Sequence, residues 1–172
     1  MDDGTGGSSD GRGAAGSTEP PARTAPRVSG FNRFMIRLLA SPFADLAGGL
    51  VLVRYTGRSS GEARQLVVGC DRLEDGFLII VGRPDQKTWW RNFMSPWPVD
   101  LGRGRSLVHG TAIVVRGNSE RGLQLAAGYF AAHRGRGRRA GLPKLRKGEV
   151  ASPGALRAAA APLVFVLVTP AA

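Results

Sequence analysis

The chain has 172 residues, and its 24 Lys and Arg against 13 Asp and Glu give a formal net charge of +11. A single cysteine, Cys70, excludes an intrachain disulfide and a cysteine-based zinc site. There is no run of 18 apolar residues to span a bilayer, and the basic excess favours anionic partners: nucleic acid, a membrane surface or a phosphorylated ligand.

Residues 1–28 are Gly, Ser, Pro and Ala with scattered charge, too poor in large apolar side chains to offset the entropy of ordering. They read as a disordered tail and lack the apolar centre of a signal peptide. The expected location is therefore cytoplasmic, and residues 29–172 form a single domain. Ser29 can cap a helix that places Phe31, Phe34, Met35, Leu38 and Leu39 on one face and Asn32, Arg33 and Arg37 on the other. Such a helix flanks the core or, in the alternative, lies on an anionic membrane as a peripheral contact.

From residue 50 the pattern turns to strands. "LVLVRYT" (50–56), "RQLVVGCDRL" (64–73) and "GFLIIVG" (76–82) are rich in apolar and β-branched residues and are separated by glycine turns. "DQKTWWRNF" (85–93) reads as a short helix ended by "MSPWP". Two more strands follow at 98–104 and 105–117. Asn118 or Ser119 then caps a helix over 120–133. A Gly/Arg-rich connection runs to about residue 160, and "PLVFVLVTP" (162–170) closes the chain. Six strands with short links and few helices predict an α+β fold, mainly β: a split β-barrel of antiparallel strands with flanking helices.

The turn "YTGRSSGEAR" (55–64) can bend tightly and aim backbone N–H groups and serines at one anion, with Arg58 and Arg64 supplying forked donors. It lacks the Lys-Ser/Thr ending of a P-loop, and no helix follows it. In the Trp89-Trp90 pair the two side chains point about 100° apart on a helix. One is expected in the core and the other on a pocket wall. Asn92 reads as a helix-end cap. His109 and His133 show no metal-ligand spacing, and no Ser-His-Asp set assembles. A bound cofactor would then carry the chemistry. Residues 134–147 hold seven cations and no acid, a solvated loop or a clamp for an anion.

Taken in order, "LVLVRYTGRSSGEAR", a hydrophobic strand, "GRPDQKTWWRNF", two strands and "PLVFVLVTP" resemble the deazaflavin-dependent nitroreductase family of actinobacteria. The resemblance spans about residues 31–170. It implies a split β-barrel of the FMN-binding type, the deazaflavin coenzyme F420, and hydride transfer to an electron-poor acceptor such as a quinone. It also implies that Arg58, Ser59, Ser60, Gly61, Arg64 and Arg83 grip the anionic part of the cofactor, with Trp89, Trp90 and Asn92 supporting it. Ser59 stands where the family commonly has lysine, Val67 replaces a strand proline, and Lys87-Thr88 replace the proline before the aromatic pair. Tyr129 and His133 are the candidate proton donors, solvent being the third. The alternatives are a non-catalytic barrel that stores F420, FMN or haem, and, below it, a nucleic-acid binder using 134–147. A homodimer is compatible with either.

Overall fold

The structure is a computed structural model that describes residues 49–144, 149 and 151–171. The tail, the Phe31–Leu39 helix and residues 145–148 of the basic stretch lie outside the described residues.

Seven strands follow one another as β1 (Leu50–Thr56), β2 (Ala63–Gly69), β3 (Asp71–Leu73), β4 (Gly76–Ile80), β5 (Trp97–Arg103), β6 (Ser106–Arg116) and β7 (Val164–Pro170). A 3-10 helix, Trp89–Phe93, precedes β5. Three α-helices lie between β6 and β7: α1 (Glu120–Ala132), α2 (Arg134–Arg139) and α3 (Pro153–Ala160). The sheet order is β2-β1-β5-β6-β7-β4-β3, with every neighbouring pair antiparallel.

That order explains the main departure from the expected strands. Residues 64–73 read as one strand, but the chain breaks at Cys70. Before it, β2 pairs with β1; after it, β3 pairs with β4 at the other edge of the sheet. A single residue joins the two edges, so the sheet must curl until they meet. The result is a split-barrel-like half-barrel with helices on its outer face. The Cys70 N–H donates to the Gly49 carbonyl at 2.7 Å and extends the β1 ladder up to the break.

Strand alternation sorts the core into two layers. Along β7, Val164, Val166 and Val168 point inward to join Val51, Val53, Ile79, Val81, Val99 and Leu101. Between them Phe165 and Leu167 point outward against Ala126, Tyr129, Phe130, Ala159 and Ala160 of the helices. Phe93 and Phe165 are fully buried, one in each layer.

The region expected as a connection to residue 160 contains α2 and α3. Ser152 caps α3, accepting the Ala155 N–H at 3.4 Å, and Pro153 fits its first turn. Small side chains let α3 sit close, with Ala160 fully buried. Helix α1 starts as the sequence predicts, with the Gly122 N–H donating to Ser119 Oγ at 3.0 Å. Among the described residues no helix is long and apolar enough to cross a membrane.

Candidate cofactor cleft

The loop 57–62 joins β1 to β2. It closes through two backbone bonds, Gly57 N–H to Glu62 O and Gly61 N–H to Gly57 O, each 2.8 Å. Gly61 takes φ +65, a conformation that glycine adopts without penalty. The loop is held against the 3-10 helix by Arg58 and Asn92. The Arg58 amide donates to Asn92 Oδ1 at 2.8 Å, and Asn92 Nδ2 donates to the Trp89 carbonyl at 2.8 Å. Arg58 Nε–H reaches the Asn92 carbonyl at 3.1 Å, and Nη2 reaches the Ser95 and Pro96 carbonyls at 3.0 and 3.1 Å. Its guanidinium lies 4.1 Å over the Trp97 ring, whose Nε1–H donates to Thr56 O at 2.7 Å.

This contact opens a cleft of about 440 Å³ between loop and helix. Its wall contains Ser59, Ser60, Arg58, Arg64 and Arg91 on the polar side, with Tyr55 and Trp89 as aromatic surface. Register places Arg64 there. It lies directly opposite Tyr55 on the antiparallel pair, so the two share the inner face at the mouth of the half-barrel. Arg64 is half-exposed and pairs with Glu62 at 2.6 Å. Tyr55 packs edge-on to Phe93 at 5.1 Å. Burial raises its hydroxyl pKa above 10.0, and the nearby Arg64 charge lowers it less.

The adjacent tryptophans divide as their spacing predicts. On the 3-10 helix they point about 120° apart. Trp90 is buried and donates from Nε1 to the Pro84 carbonyl at 3.0 Å. Trp89 is half-buried, packs edge-on to Phe93 at 6.1 Å and faces the cleft.

The other expected site residues divide between this cleft and the rest of the molecule. Arg58 lines the cleft while its Nε and Nη2 donate to protein carbonyls and bolt the loop to the helix. Arg83 is exposed, takes φ +54 and is not among the described residues lining the cleft. It follows β4 in sequence. Gly61 shapes the loop without lining the cleft. Tyr129 belongs to α1, on the outer face of the sheet, and His133 is the residue that ends it. The Tyr129 hydroxyl accepts from Arg136 at 2.6 Å, and His133 Nε2 lies 3.2 Å from Asp71 Oδ1. Neither is among the described residues lining this cleft. His109 is likewise engaged, 2.7 Å from Asp100 across β5 and β6. Among the described residues no three His, Cys, Asp or Glu cluster as metal ligands.

Four cleft residues, Tyr55, Gly57, Thr88 and Arg91, escaped the sequence reading as site residues. For Tyr55 the signal was present: it occupies the inward position of β1 nearest the glycine turn.

No protein-family model matches the chain. No curated protein matches it significantly. Among solved structures it is similar to the haem storage protein HutZ from Vibrio cholerae, at 10% identity and TM-score 0.47, covering 75% of this chain and 86% of that one. It is also similar to an FAD and haem binding protein from Mycobacterium smegmatis, at 17% identity and TM-score 0.39, covering 71% and 60%. Likeness at this level does not bear on ligand or activity.

Proposed function

We propose that this half-barrel holds a deazaflavin cofactor in the cleft between the 57–62 loop and the 3-10 helix, and that it serves as an oxidoreductase. One observation carries the reading. The Arg58–Asn92 clamp sets anion donors and an aromatic wall around the same space. The donor chemistry fits the group. Ser59, Ser60, Arg64 and Arg91 suit phosphate or carboxylate oxygens, and Trp89 with Tyr55 suits the face or edge of a planar ring.

A reduced deazaflavin such as F420 supplies a hydride when bound, and an electron-poor acceptor such as a quinone takes it. The chain's own residues bind and orient. Arg64 and Arg91 would neutralise the anionic end, Trp89 would position the ring, and the Tyr55–Phe93 contact would close the inner end to water. The Tyr55 hydroxyl stays protonated through the neutral range, so it can donate a hydrogen bond or a proton but cannot act as a base.

The alternative is storage without turnover, with FMN or haem as the occupant. Haem needs an axial donor, and Tyr55 is the one phenol among the described residues lining the cleft. Ligation through phenolate is opposed by the same burial that raises its pKa. That favours a flavin-type ring over haem here.

The test is titration of the full chain with F420, FMN and haemin, followed by turnover of the reduced cofactor over a quinone panel. Saturable F420 binding with quinone-dependent oxidation supports the oxidoreductase. Tight FMN or haem binding with no F420 binding would overturn it, and F420 binding without oxidation assigns storage.

A further inference from the structure

A second recess lies on the other side of the molecule. It is formed by the end of α1, by α2 and by the turn after it, and its volume is about 270 Å³. Its floor is Phe130 and Leu142, both buried members of the helix-side core. Its rim is Arg134, Arg138 and Lys144, all exposed. Arg134 and Arg138 are one helical turn apart, so they share an edge of α2. Gly137 makes the recess possible. A methyl there would stand 3.2 Å from Leu142 Cδ1 and 3.5 Å from Phe130 Cβ, so glycine lets α2 lie close on the floor. Among the described residues none of the three rim cations pairs with a carboxylate in the ion pairs present. Arg136, on the same helix, turns instead to the Tyr129 hydroxyl.

From this recess we infer a binding site for a single amphiphilic anion, a molecule with a phosphate or carboxylate head and an alkyl body. Three like charges held close favour an anionic head. The apolar floor adds what a bare charge does not use, since each buried methylene contributes through the hydrophobic effect. Nucleic acid would engage the rim and leave the floor idle. A bilayer is disfavoured for another reason: α2 reads Arg-Gly-Arg-Gly-Arg-Arg and offers no exposed aliphatic or aromatic side chain for insertion. Among the described residues, the exposed large apolar side chains Met94, Leu107 and Ile113 belong to other parts of the chain. The occupant is therefore one molecule from solution rather than a surface. This site is separate from the cofactor cleft and does not depend on what that cleft binds.

The experiment is calorimetric titration of the full chain with decyl phosphate kept monomeric. Inorganic phosphate, decanol, anionic phospholipid vesicles and duplex DNA serve as comparison probes. The variants are Arg134→Gln/Arg138→Gln and, as a control in the other cleft, Arg64→Ala. The expected result is saturable decyl phosphate binding, stronger than for inorganic phosphate or decanol. It should weaken by about tenfold or more in the double variant, as for loss of a charged hydrogen bond, and stay unchanged in Arg64→Ala. Circular dichroism checks that the double variant is folded; because the rim is exposed, it should be. The inference is overturned if decyl phosphate binds no better than inorganic phosphate, or equally well to the double variant. Vesicle or DNA binding that the double variant abolishes, without decyl phosphate binding, would also overturn it by assigning the cations to a membrane or to nucleic acid.

Discussion

Arg58 and Asn92, 34 positions apart, are joined twice: backbone amide to side-chain carbonyl at 2.8 Å, and guanidinium Nε to backbone carbonyl at 3.1 Å. One residue thus anchors the loop and the other the helix, and the cleft exists because they meet. A planar fork serves the contact well. It reaches the carbonyls of Asn92, Ser95 and Pro96 while stacking on Trp97.

The clamp should behave as a unit. Asn92→Ala removes a side chain bonded at both ends and should destabilise by about 1–2 kcal/mol, at roughly 1 kcal/mol per bond. Arg58→Lys keeps the charge but loses the fork, and should lower both stability and cofactor affinity. In a double-mutant cycle the two effects should be less than additive. Additive losses in urea melts would show that the two residues act separately.

Arg64 and Glu62 give opposite predictions. Their pair is exposed, so it contributes at most about 1 kcal/mol to folding. Arg64→Ala should leave the melting temperature nearly unchanged while weakening an anionic cofactor by about 1.5–3 kcal/mol. Glu62→Gln frees Arg64 and should tighten the same ligand. Fluorescence titration reads both; equal affinity in wild type and Arg64→Ala would remove Arg64 from the site.

Cys70 should be chemically quiet despite being the chain's lone thiol. Burial, with a smaller push from Asp71, raises its pKa from 9.0 to about 12, against a lowering contact from the Leu78 backbone. At pH 8 the thiolate population is then about a thousandfold smaller than for an ordinary thiol of pKa 9.0. Alkylation should be slow in the folded protein and rapid in denaturant. The sign for stability follows: the protonated thiol's contribution is whole below about pH 9 and is lost as pH rises toward 12. Rapid alkylation under native conditions would contradict the raised thiol pKa at the half-buried β2–β3 junction.

Two glycines mark close backbone approaches. A methyl at Gly117 would run into the Ala160 carbonyl, and one at Gly122 into the Arg116 carbonyl. Both obstacles are main chain, so neither can swing aside. Gly117→Ala and Gly122→Ala should each destabilise by about 1–3 kcal/mol or more. Gly128→Ala, on the same helix with open space around it, should be neutral or slightly stabilising. Thermal melts of the three variants separate these outcomes.

Much of the fold was legible because its determinants are local. Alternation in Val164–Val168 states which residues face the barrel and which face the helices. Ser119 announces a helix start, and the glycines at 57 and 61 announce a bend. The separation of Trp89 from Trp90 follows from helical geometry alone. What could not be read was where each element ends up. The run 64–73 is uniformly strand-like, and its break at Cys70 arises because the curled sheet needs β2 and β3 at opposite edges. That the Arg58 guanidinium donates to carbonyls 34, 37 and 38 positions away depends on the fold. Arg83 is close to the cleft in sequence order but does not line it. Tyr129 packs in the helix-side layer, and His133 lies against Asp71. Side-chain type and spacing thus determined the strands, the turn and the inward faces, since these depend on neighbours along the chain. The partner of each polar group was decided only by tertiary contact, because a hydrogen bond depends on distance in space.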